Sequence, residues 1–193
     1  MFFAIEPYTF NFDYASLTEK TKNNVIENSW FHRLMYEHDA FTMNGVALHF
    51  SLTINKTETS YDKLKHCFSL SEDNNQEVVN EVTRIEREIL ALACTTLFEG
   101  KQPMFHIENQ TKQGFVKLFN GSSRSHKTQS NITMPQPQFT THHTLKSYHM
   151  KPRLPLNFSQ TQDFILKISG IWYNDVNYGI TYKFEKAGKV VGF

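Results

Sequence analysis

The sequence predicts a β-rich α+β fold, an OB-like barrel with one long helix and a long basic loop, in a single domain over residues 1–193. Three observations carry this: strand-period alternation early and late in the chain, one stretch of helical period between them, and a segment 120–162 with neither. At 39% hydrophobic and 20% charged residues, the composition is that of a soluble globular chain. No apolar run approaches the ~20 residues of a spanning helix. The opening "MFFAIEPYTFNFDY" carries Glu6 and lacks the basic region and cleavage site of a secretory signal, so an intracellular, reducing location is expected.

The elements follow in order. In "GVALHFSLTI", Val46, Leu48, Phe50, Leu52 and Ile54 fall on one face of a strand. Ahead of it, "SWFHRLMYEHDAFTMNG" is rich in aromatics and ends in a Met43-Asn44-Gly45 turn; as a helix it would present Phe31, Leu34 and Met35 together. "YDKLKHCFSL" gives a second strand, with Leu64, His66, Phe68 and Leu70 alternating with Lys63, Lys65, Cys67 and Ser69. Between Asn74 and Gly100, Val78, Val82, Ile85, Ile89 and Leu92 form a helical stripe. Asn74 and Glu77 suggest its N-terminal cap, Gly100 its stop, and its acidic residues are expected to face solvent. "PMFHIENQTKQGFVKLF" reads as a hairpin, Met104–Ile107 and Phe115–Phe119 flanking a polar turn. The chain closes on a second hairpin, Phe164–Phe184, with Gly170 and Gly179 permitting a bulge or a close backbone approach. This order matches an OB-type barrel, although a sandwich or an α+β sheet would give a similar string.

Charge is unevenly distributed. Residues 72–99 hold seven carboxylates, Glu72, Asp73, Glu77, Glu81, Glu86, Glu88 and Glu99, against Arg84 and Arg87. From Asn109 to Gln162 there is no Asp or Glu, while Lys112, Lys117, Arg124, Lys127, Lys146, Lys151 and Arg153 are present. Such asymmetry in a chain of net charge +1 points to one surface that meets a polyanion. The last hairpin adds aromatics to that charge. Trp172 and Tyr173 are placed near its turn, Tyr182 further on, and Lys167 and Lys183 along its strands. Aromatic faces that stack on bases, flanked by lysines that hold phosphates, are the physical means of binding a single strand. Ordinary packing accounts for such aromatics as well. Trp30, Phe31, Arg33 and Tyr36 form a second mixed cation and aromatic cluster, and Phe119 stands beside Lys117.

"ILKISGIWYNDVNYGITYKF" resembles the C-terminal hairpin of single-stranded DNA-binding proteins encoded by large eukaryotic DNA viruses and related mobile elements. "KQPMFHIENQTKQGFVKLF" is similar to a second stretch of the same proteins. The resemblance implies an OB-like fold, no catalysis, and a role in coating DNA during viral replication, in the nucleus or at a viral replication site. It singles out Trp172, Tyr173, Lys183 and Lys117. The expected partners are single-stranded DNA, with RNA left open, further copies of the chain, and replication proteins. Unlike bacterial single-strand binders, the chain ends in the basic "EKAGKVVGF" rather than an acidic tail, so tail-mediated recruitment is not carried over. The rival reading is a virion-associated β-domain whose basic loop contacts a protein partner.

No phosphate-binding glycine loop, His-Glu-x-x-His, Gly-x-Ser-x-Gly or Cys-x-x-Cys occurs, so no enzyme and no cofactor is expected. His126, His142, His143 and His149 lie in the basic segment without zinc-site spacing, and no metal is expected. Asp39, Asp62 and Glu108 read as solvated charges, and Cys67 and Cys94 as small core residues.

Overall fold

Alternating side chains build the first strands: β1 (Ala15–Lys22), β2 (Trp30–His38), β3 (Phe41–Asn44) and β4 (Val46–Ser60). The computed structural model describes residues 3–60, 63–94, 98–119 and 159–188. The aromatic stretch from Trp30 is thus a strand and not a helix, because His32, Leu34 and Tyr36 bury one face at period two. The remaining elements are β5 (Lys63–Phe68), α1 (Asp73–Cys94), β6 (Gln102–Met104), α2 (His106–Thr111), β7 (Phe115–Phe119), β8 (Gln160–Tyr173) and β9 (Asn177–Lys186). Among the described residues no helix is long and apolar enough to cross a membrane.

Five strands close on themselves. β4 pairs antiparallel with β5, β5 with β7, β7 touches β9 in parallel at Leu118 and Phe184, and β8 joins β9 to β4. Numbered by their place in the chain, the barrel strands run first, second, third, fifth, fourth, a closed five-stranded barrel consistent with an OB-like fold. Phe50, Leu52, Phe68, Val116, Leu118, Phe164, Leu166 and Phe184 are buried in its core. β8 serves two partners along one edge: residues 160–168 pair with β4 and residues 170–173 with β2. The register slips between Ile168 and Gly170 against β9, the bulge that Gly170 allows. Gln160–Gln162, read from sequence as loop, are the first residues of β8.

Val82, Ile85 and Ile89 of the expected α1 stripe are buried and Val78 and Leu92 pack against the core, with Val79 and Leu90 widening the stripe. Contrary to expectation Glu86 is buried too, at 0% exposure. The helix start is fastened by asparagine amides rather than by the expected cap. Buried Asn75 accepts the Thr53 N–H at 2.8 Å and donates to the carbonyls of Thr53 and Ser69, while Asn74 donates to the Ser51 carbonyl.

The expected Met104–Phe119 hairpin is not formed. β6 pairs in parallel with β9, and the intervening residues make α2. The reason lies 21 residues upstream. The Glu86 carboxylate accepts the N–H groups of Ile107 at 3.0 Å and Glu108 at 2.7 Å, satisfying donors that a helix start leaves open. Glu108, expected to be solvated, is buried and clasped by Arg87 through Nε at 2.8 Å and Nη2 at 2.6 Å and by Lys112.

These two carboxylates titrate in opposite senses. The Arg87 hydrogen bonds, followed by those of Lys112, hold Glu108 down to about 2, against the pull of desolvation. Burial pushes Glu86 up. A depressed carboxylate contributes stability above its unfolded value that is lost as pH falls toward about 2. With Arg87 and Lys112 more than half exposed, solvent screening leaves about 1–2 kcal/mol for Glu108. Thermal melts should therefore fall on acidification from pH 4.5 toward pH 2, with a shallower fall in Glu108→Gln. An unchanged slope in that variant would remove Glu108 from the account.

Candidate nucleic-acid interface

β5 and β7 lie side by side with Lys65 opposite Lys117, Cys67 opposite Phe115 and Lys63 opposite Phe119. Because Leu64, His66, Phe68, Val116 and Leu118 turn inward, the alternate residues Lys63, Lys65, Cys67, Phe115 and Lys117 form the outer face. The Nζ atoms of Lys65 and Lys117 stand 4.9 Å and 5.1 Å from the centre of the half-buried Phe115 ring. Like charges directly opposite across two strands repel. Glu58 of β4 relieves Lys65 at 3.2 Å and Lys56 at 2.7 Å, and the hydrogen bonds from Lys56 and then Lys65, with their charges behind them, hold its carboxyl below the usual range. Among the described residues Lys117 has no carboxylate within ion-pair distance. The face is therefore cationic around an aromatic ring. Cys67, expected in the core, is half-buried on this face because it shares the alternation of Lys63 and Lys65; the side chain of Cys94 lies outside the described residues.

All the residues singled out from sequence but Trp30, Tyr36 and Tyr173 fall into four groups. Lys117 belongs to the face just described, and Phe119 ends β7, its side chain outside the described residues. Phe31, Arg33, Trp172 and Tyr182 meet at a groove of about 450 Å³ between the β1–β2 hairpin and the β8–β9 ladder. Lys167 and Lys183 sit opposite each other on β8 and β9, and both are bound by Glu185, at 2.6 Å and 2.9 Å. Arg124, Lys127, Lys146, Lys151 and Arg153 lie outside the described residues, as do the histidines of that segment and Asp62.

Three aromatics are more packed than expected. Tyr36 is 2% exposed, its hydroxyl accepts the Asn11 N–H at 3.1 Å, and its ring lies against Phe10, Tyr14 and Phe41. It is a core residue that no base can reach. Tyr173 stacks on buried His32 with ring centres 5.6 Å apart and leans on Phe98 at 4.7 Å; burial raises its hydroxyl pKa. The Tyr182 hydroxyl is pushed up to about 12 by burial, with Glu86 adding to the shift. Trp30, by contrast, is 43% exposed, with Lys20 Nζ 5.2 Å from its ring.

Lys63, Lys65 and Phe115 were not singled out, although the signal was present. The alternation in "KLKHCF" puts two lysines on the face opposite the apolar one, and Phe115 precedes Lys117 by two. Among the described residues no group of three His, Cys, Asp or Glu side chains could hold a metal ion. Comparison of the chain with protein-family models, with curated proteins and with solved structures returns no match.

Proposed function

We propose that the chain is a sequence-tolerant single-stranded nucleic-acid-binding protein, DNA being the first expectation, and that the strand lies across the outer face of β5 and β7. The observation that carries the reading is the cross-strand pair Lys65 and Lys117 flanking Phe115, where packing alone gives no reason to oppose two lysines. A single strand supplies what the face lacks: a phosphate for Lys117, a second anion beside Glu58 for Lys65, and a base for the ring, worth about 1–3 kcal/mol per stacked base. In an OB-like barrel the second and third strands form the face that takes oligonucleotides, and β5 and β7 hold those places here. Coating DNA during viral replication is the cellular role proposed with it.

The test is fluorescence anisotropy with oligo-dT, a single-stranded RNA of mixed sequence and a duplex, at two salt concentrations. Binding should favour single strands and weaken with salt. In Lys65→Glu/Lys117→Glu the affinity should drop at least tenfold, and the salt slope should shrink by about 1.4, as ~0.7 per lost phosphate contact requires. Equal binding to all three nucleic acids, or an unaltered slope in the double variant, would refute the reading and favour a protein-binding role.

A further inference from the structure

The β1–β2 hairpin is not needed to close the barrel, yet with β8 and β9 it encloses the groove that holds Phe31 and Trp172. Two glycines make that groove. A Cβ on Gly170 would stand 2.6 Å from Phe31 Cζ, so the Phe31 ring rests where a side chain would be. A Cβ on Gly179 would stand 3.2 Å from both Nε1 and Cζ2 of Trp172, so the indole lies across that residue. Phe31 and Trp172 are register partners on adjacent strands. Two half-buried rings thus sit next to each other on side-chain-free backbone, an aromatic platform on the outside of the sheet.

The rim is polar and positive. Exposed Lys22, Asn24, Arg33 and Thr181 line it, and among the described residues no carboxylate does. Another groove, of about 490 Å³, is instead lined by Glu6, Glu77 and Glu81 among others. Arg33 donates through Nη1 to Asn44 Oδ1 at 2.9 Å, which orients one edge of the guanidinium. An aromatic bed with two cations and no acid suits a ligand that is flat, apolar on its face and anionic at one end. A space of about 450 Å³ falls in the usual range of small-molecule sites.

We infer that this groove is a separate site for a single nucleotide, its base on Trp172 and Phe31 and its phosphate at Lys22 and Arg33. The site shares no residue with the β5–β7 face and stands whether or not that face binds a strand. The chain has two tryptophans, so Trp30→Phe leaves Trp172 as the only indole reporter. In that background, dTMP should quench the emission saturably, thymidine should do so with about tenfold weaker affinity or less, and inorganic phosphate should not quench. Adding Lys22→Ala and Arg33→Ala should bring dTMP to the level of thymidine while leaving thymidine and the near-UV circular dichroism unchanged. No saturable quenching by dTMP, or quenching indifferent to Lys22 and Arg33, overturns the site. Lys65→Glu/Lys117→Glu separates the two readings: it should leave the dTMP response intact. Oligonucleotide binding without a dTMP response ends this inference alone, and a dTMP response without dependence of oligonucleotide binding on Lys65 and Lys117 ends only the other.

Discussion

Gly170→Ala is expected to cost about 3 kcal/mol or more and to detach β2 from β8. The added Cβ would stand 2.1 Å from the His32 carbonyl oxygen and 2.9 Å from Arg33 Cα, both backbone atoms of the neighbouring strand. Backbone in a paired strand cannot move aside as the end of a side chain can, so the pairing of Arg33 with Gly170 and of His32 with Ile171 has to open. Gly188→Ala is the control. Nothing lies within 4 Å of the added carbon, and the change should fall within ~0.5 kcal/mol. Urea denaturation gives the free energies, and hydrogen exchange of the β2 amides reports the detachment. A Gly170→Ala protein as stable as the control would mean that the two strands are not held at this spacing.

Glu86→Ala should remove about 3 kcal/mol, a loss comparable with emptying a core position. Two buried N–H groups, those of Ile107 and Glu108, would lose their acceptor together, at about 1–3 kcal/mol each before water enters. Glu86→Gln keeps one oxygen and turns an amide N–H toward the other donor, so about half the loss is expected. Because burial raises the Glu86 pKa, the stability it contributes is fully present below the unfolded value and is lost as pH rises through the folded one. The penalty of Glu86→Ala should therefore be larger at pH 4 than at pH 8. Melts at the two pH values check it, and a penalty that grows with pH would contradict the buried, capping role.

Much of the architecture could be read locally because burial on one side of a strand leaves a period-two trace. Phe164, Leu166 and Ile168 alternate with Lys167 and Ser169 and are buried as that pattern requires. The same trace exposed Lys63 and Lys65, but nothing local says that β7 will bring Lys117 beside them, since that pairing joins residues some fifty positions apart. Tyr36 failed as a binding residue for a related reason: the rings that bury it, Phe10 and Tyr14 among them, arrive from an earlier segment. α2 was illegible because its stabilising acceptor belongs to α1. The asparagines at the start of α1 misled in the same way, fastening strands instead of capping their own helix. What escapes a linear reading here is the side chain whose partner is distant in the chain.

The double pairing of β8 has a consequence for how the molecule comes into being. β3 covers residues 35–38 of β2, but Trp30–Arg33 find their second neighbour only in residues 170–173, and β4 finds its own only in residues 160–168. Both therefore keep a stretch of unpaired edge until nearly the whole chain is available. On a ribosome the first strands would emerge long before their common partner. Non-local pairing of this kind makes folding slow and leaves sticky intermediates. β8 is the keystone that arrives late, and a nascent chain stopped before residue 160 would lack both the barrel's closure and the support of its N-terminal sheet.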